Sequence, residues 1–177
     1  LNGRPVGTFR TADALLDGLQ PDTAYTVTVC GMDKDGARRP GSESLSLRTR
    51  PEGERLDVRQ FGATGDGPTL QTAALQSALD ACPPGGTVFV PPGTYRTGAL
   101  FMRRGGVTLE LAAGSRLLGS DDPADYPSIP CRFEGIERTC FASLITIGAL
   151  DRELEDVAIV GAGTIDGSGT LLREREI

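Results

Sequence analysis

The chain has 177 residues, 38 % hydrophobic and 24 % charged, enough for one domain or two small ones and incompatible with wholesale disorder. A formal charge of −6 and a pI near 4.7 argue against general binding to nucleic acid or an anionic membrane, and no apolar run reaches the roughly 18 residues of a membrane span. Histidine is absent, which removes Ser-His-Asp and Cys-His catalysis and most transition-metal sites from this chain.

The first elements lie between residues 15 and 50. Ala24 to Cys30 alternates Tyr25, Val27 and Val29 with Thr26 and Thr28, the period of a half-buried strand. Asp33-Lys34-Asp35-Gly36 is a turn, and Ser44 to Thr49 alternates again as the return strand. Upstream, Leu19-Gln20-Pro21-Asp22-Thr23-Ala24-Tyr25 has the pattern of a tyrosine corner, in which the hydroxyl bonds back to upstream backbone. Residues 1–50 therefore resemble a fibronectin type III domain; an unrelated β-meander is the alternative. A complete sandwich needs about 100 residues, so only its later strands are present. Tyr25, Val27 and Val29 are then expected to lack cover.

Pro51 to Arg55 is a short polar joint, and a different pattern fills residues 51–177. Leu56 to Phe61 reads as a strand and Gly62 to Pro68 as a glycine-rich turn. A helix is expected over Thr69–Cys82, with Thr69 as N-cap and Leu75, Ala78, Leu79 and Cys82 as its apolar stripe. Pro83-Pro84-Gly85-Gly86 ends it. Short β runs follow: 88–90, 99–102, 107–111, 116–118, 144–147, 157–160 and 164–165, with glycine or proline corners in nearly every gap. Strands this short with so many corners suit a solenoid that stacks each coil on the one before. The open end of such a stack needs cover, and the helix stands where that cover belongs.

Leu56 to Gly67, the helix, and Gly85-Gly86-Thr87-Val88-Phe89-Val90-Pro91-Pro92-Gly93-Thr94-Tyr95 together resemble the first coil of pectin-degrading parallel β-helix proteins. Asp125-Tyr126-Pro127, the Arg132 to Glu137 stretch, Ala142 to Ile145 and Gly161-Ala162-Gly163-Thr164-Ile165-Asp166-Gly167-Ser168-Gly169 are similar to glycoside hydrolase family 28, the polygalacturonases. The resemblance implies an all-β fold: a right-handed, single-stranded parallel β-helix with an N-terminal capping helix, preceded by the partial sandwich. It also implies inverting hydrolysis of α-1,4-galacturonosyl links in pectin or polygalacturonate, exo-acting, by a bacterial monomer of the periplasm or cell exterior. No cofactor or metal is implied. A lyase of the same fold and a non-catalytic adhesin or tailspike are the alternatives.

The family's catalytic segments are an Asn-x-Asp, an Asp-Asp pair, a Gly-His-Gly and an Arg-x-Lys beyond the Gly-Thr-Ile-Asp-Gly stretch. None is present there: Asp121-Asp122 is an Asp pair but lies before that stretch, and Asn2 and Lys34 are the only residues of their kinds. No catalytic, cofactor-binding or metal-binding residue is therefore assigned to this chain, which reads as a piece cut at both ends, opening on Leu1 without a leader pattern. Asp121, Asp122, Asp125 and Asp166 all fall on turns and are read as structural or solvated. Gly65-Asp66-Gly67 is read as a tight turn, and Arg103-Arg104 as a solvated coil edge. For Cys30, Cys82, Cys131 and Cys140 two readings stay open: a Cys131–Cys140 bridge in an exported protein, or four idle thiols.

Overall fold

A computed structural model describes residues 1–9 and 14–169. The chain divides into two units, Leu1–Glu52 and the sequence from Gly53 onward. In the first, β1 (Ala24–Val29) and β2 (Glu43–Arg48) pair antiparallel, with Tyr25 opposite Leu47 and Val27 opposite Leu45. The Gln20 N–H donates to the Tyr25 hydroxyl at 2.8 Å, so the corner bond read from the sequence is present. The Asp33 carboxylate accepts from the N–H groups of Asp35 and Ala37, which fixes the turn at Gly36. None of the described residues of this unit is buried; Val29 is 68 % and Leu45 64 % exposed.

The second unit begins with β3 (Arg55–Asp57), shorter than the expected strand over Leu56–Phe61. The Asp57 carboxylate accepts the Arg59 N–H at 2.9 Å and turns Val58–Phe61 into a 3-10 turn, closed by Gly62 in the left-handed region at φ 95°. Next comes β4 (Asp66–Leu70), which holds Thr69. Thr69 is therefore not the helix N-cap. Its N–H and hydroxyl both donate to Asp66, at 3.2 and 2.7 Å, and the helix α1 runs over Thr72–Ala81.

Gln71 occupies the N-cap position but turns its amide inward, where it is 4 % exposed. Its Oε1 accepts from the N–H groups of Thr64 and Gly65 at 2.9 and 3.1 Å. Its Nε2 donates to Thr64 Oγ1 and Asp66 Oδ1, both at 3.0 Å. All four bonding positions of the amide are used, so its burial carries no unpaired polar atom.

The rest of the unit is parallel. The chain runs through β5 (Thr87–Val90), β6 (Gly93–Thr97) and β7 (Leu100–Met102), then repeats with β8 (Thr108–Leu111) and β9 (Ser115–Gly119). After β10 (Ser128–Phe133) and β11 (Ile136–Phe141) it resumes with β12 (Ile145–Ile147), β13 (Ala158–Gly161) and β14 (Thr164–Asp166). Three parallel sheets result, in the orders β13-β8-β5-β3, β14-β9-β6-β4 and β12-β7. Residues in register form apolar ladders pointing between the sheets: Leu56–Val88–Leu109–Ile159, Tyr95–Leu117–Ile165 and Leu100–Ile145. Val88, Leu109, Tyr95, Leu117 and Leu100 are buried, each side chain contributing about 1.5–3 kcal/mol by leaving water. At the corner after β13, a Cβ on Gly161 would fall on the Leu111 carbonyl oxygen and one on Gly163 on the Ser115 hydroxyl. Only glycine lets this coil lie so close on the previous one.

The helix meets this stack with two stripes. Leu75, Ala78 and Leu79 enter the core. On the other side Thr72, Gln76 and Asp80, spaced by four, line up beside β7. Thr72 Oγ1 accepts from the Gly98 N–H at 2.8 Å, and the Gln76 amide accepts from the Phe101 N–H and donates to its carbonyl at 2.8 and 3.0 Å. Asp80 accepts from Arg103 at 3.1 Å.

One feature departs from the purely parallel expectation. β10 and β11 form an antiparallel hairpin between β9 and β12. Glu134 and Gly135, both at positive φ, are its two-residue turn, the primed geometry that suits strand twist. β6 forms a strand although Gly93-Thr94-Tyr95-Arg96-Thr97 holds a single large apolar residue and so carries little local strand signal. Among the described residues no helix is long and apolar enough to cross a membrane.

Replacing Gln71 with Leu keeps the volume but leaves the Thr64 and Gly65 N–H groups unpaired. The second unit should lose about 2–4 kcal/mol, read from denaturant midpoints. A change below about 0.5 kcal/mol would show that this amide does not hold the turn to the helix.

Candidate functional site

Because Tyr95, Leu117 and Ile165 point inward, strand alternation sends Arg96, Arg116 and Asp166 to the outer face of β6, β9 and β14. There they border an open depression of about 550 Å³, together with Gly119, Asp121 and Ser168. The Arg96 guanidinium donates to Asp121 at 2.6 Å, and more distantly to Ser120 Oγ at 3.4 Å. Arg116 donates to Asp166, and the Ser168 N–H donates to the other carboxylate oxygen of Asp166 at 3.0 Å.

The structure thus brings two of the four aspartates, Asp121 and Asp166, to one place and separates the other two from it. Asp122 accepts the Ala124 N–H at 3.0 Å and starts the short turn Pro123–Asp125. Asp125 accepts from the Ser120 hydroxyl, while the buried Tyr126 hydroxyl donates to the Ser120 carbonyl at 2.9 Å. These bonds fold the loop after β9.

The chemistry of the depression follows from its charges. Two guanidinium groups and two carboxylates balance pairwise. The Arg116 guanidinium and the Ser168 N–H hold the Asp166 carboxyl below its ordinary value, so it stays ionised and has no proton to give near neutral pH. Neither arginine is a bare cation awaiting an anionic sugar. Asp66, expected in a tight turn, instead begins β4, and its bonds to Thr69, and then to Thr64 and Gln71, hold its carboxyl low.

Other arginines are used the same way. Arg55 stacks on the Phe89 ring at 3.4 Å and makes a two-bond contact with Glu110 at 2.9 and 3.1 Å, spanning from β3 to β8 on the first sheet. Arg103 and Arg104 are both exposed; Arg103 pairs with Asp80 and lies over Phe101. Cys82 is fully buried, and burial pushes its thiol up; all four cysteines are free. Sequence reasoning singled out neither Arg96 nor Arg116. Their signal was positional: each lies next to an inward residue, Tyr95 or Leu117, of neighbouring coils.

Residues 56–110 match the family described as rhamnogalacturonase A/epimerase, pectate lyase-like. An exo-poly-alpha-D-galacturonosidase of Dickeya chrysanthemi is 38 % identical over 163 residues, covering 89 % of this chain and 27 % of that protein. The structure of a family 28 exopolygalacturonase from Yersinia enterocolitica superposes with a TM-score of 0.74 at 39 % identity, covering 85 % of this chain and 27 % of the other. An exopolygalacturonase from Thermotoga maritima gives a TM-score of 0.57 at 29 % identity, over 65 % and 25 % of the two chains. Residues 56–110 are thus similar to the pectate-lyase-like class, over most of its length the chain is related to the family 28 exopolygalacturonases, and it spans about a quarter of the length of those relatives.

The depressed Asp166 carboxyl fixes a pH dependence. A group whose folded pKa lies below its unfolded value stabilises fully above the unfolded value, about 4, and loses that effect as pH falls through the folded one. Thermal melts from pH 6 down to about pH 2.5 should therefore show a smaller acid-induced drop for Asp166→Asn than for the parent. Equal drops would mean that the Arg116 pair does not form in solution.

Proposed function

We propose that this chain is the N-terminal part of an exo-acting, polygalacturonase-type glycoside hydrolase whose catalytic residues lie outside it. The observation that carries the reading is the relationship at 38–39 % identity to two exopolygalacturonases over most of this chain but about a quarter of each of them. In this reading residues 51–177 build the first coils of a right-handed parallel β-helix, with α1 as its cap, and residues 1–50 are the late strands of a fibronectin type III-like sandwich. The rotation of the chain through three parallel sheets supports the first part, and the Tyr25 corner bond supports the second.

The substrate is a pectic polysaccharide, polygalacturonate or its oligomers, and the protein acts as an exported bacterial monomer without cofactor or metal. Inverting hydrolysis needs two carboxyl functions about 6.5–9.5 Å apart across the scissile bond, one protonated and one activating water. Asp121 and Asp166 are a poor match for those roles, since each is tied to an arginine, and Asp166 is held ionised. With no histidine and a single lysine, the chain also lacks the family's remaining groups. What it supplies is a stack on which further coils carry the site.

The chain alone, assayed as soluble monodisperse protein by reducing-sugar release from polygalacturonate, should give no turnover. Turnover that Asp121→Asn or Asp166→Asn abolishes would place the active site in this chain and overturn the reading. For a longer protein that contains this chain, saturated galacturonate products are expected; an unsaturated, ultraviolet-absorbing product would make it a lyase.

A further inference from the structure

The β10–β11 hairpin carries two of the four cysteines, and the register places them on one face. Cys131 stands opposite Arg138 and Cys140 opposite Ile129, so the two thiols are diagonal neighbours across the ladder. Both side chains are partly exposed. We propose that Cys131 and Cys140 are a redox-sensitive pair that closes into a reversible disulfide across the hairpin, independently of the glycosidase reading.

The geometry defines the kind of bond. Diagonal positions lie about 7–8 Å apart across an antiparallel pair, whereas a relaxed disulfide wants its Cα atoms within about 4.4–6.8 Å. Closing the bridge therefore draws the strands together and leaves the bond easy to reduce, as strained and exposed disulfides are. The neighbouring Cys140 pushes the Cys131 thiol up. In the reaction one thiolate attacks oxidised glutathione and releases one reduced glutathione. The second thiolate then displaces the other, giving the protein disulfide and two reduced glutathione molecules in all.

Closure ties the hairpin across its Glu134–Gly135 turn. The base of the hairpin is already anchored, because Ile129 packs with Ala99, Tyr126 and Ala142 beside the third sheet. Oxidation therefore fixes the projecting part and leaves the stack unchanged. Cys82 cannot compete, being fully buried.

The test treats the full chain with oxidised glutathione, blocks residual thiols and digests with trypsin, which cuts after Arg132 and Arg138 between the two cysteines. Peptides 117–132 and 139–152 should remain joined until reductant is added, and free thiols in the unfolded protein should fall from four to two. Excess reduced glutathione should restore four. Cys131→Ser and Cys140→Ser should each abolish the joined peptides, while Cys30→Ser leaves them. Recovery of both peptides separately blocked, or joined to Cys30 or to a second copy, would overturn the proposal.

Discussion

Every strand in a parallel stack needs backbone partners on both sides, and the first strand of each sheet has a neighbour on one side only. For the third sheet that missing neighbour is α1. The Gln76 side-chain amide meets Phe101 as a strand would, accepting its N–H and donating to its carbonyl. Thr72 accepts the Gly98 N–H one turn earlier. The same helix sends Leu75, Ala78 and Leu79 into the core, so one ten-residue segment closes both the apolar interior and a polar edge. The buried Gln71 amide fixes where that helix starts, by bonding the turn at Thr64 and Gly65 to Asp66 in β4. From there the coils repeat with little further instruction.

What could be read in the sequence was what repeats. The apolar stripe of α1 and the short runs around Val88, Leu109, Leu117 and Ile145 depend only on local period, and each became the expected helix or strand. What could not be read was where a local signal competes with a distant one. Thr69 has the chemistry of an N-cap, yet Asp66 captures both its donors and holds it in a strand. Leu56 to Phe61 alternates like a strand, but the Asp57 carboxylate turns its second half. The hairpin over Ser128–Phe141 rests on a Glu-Gly turn rather than the commoner Asn-Gly, and its strands carry mixed polar residues.

The candidate site divides in the same manner. That Asp121, Asp122 and Asp125 sit on turns was visible from their glycine and proline neighbours, whereas Asp166, expected on a turn, instead ends strand β14. That Asp121 and Asp166 border one depression, each beside an arginine from an earlier strand, depends on coil-to-coil register and was not. Ion pairs recur on the outer faces: Arg55 reaches Glu110 across β5, Arg96 reaches Asp121 and Arg116 reaches Asp166. Exposed pairs of this kind add little stability. Their consistent use between successive coils fits a role in fixing lateral register while the apolar ladders supply the energy.

The stack depends most on α1 completing the edge of β7, and backbone amide exchange reads that directly. The Gly98 and Phe101 amides should exchange as slowly as those within β8, although β7 has no strand on that side. Gln76→Ala should speed exchange at Phe101 while β8 stays protected. Rapid exchange of Gly98 and Phe101 in the unmodified protein, at the rate of a solvent-exposed edge, would contradict the account.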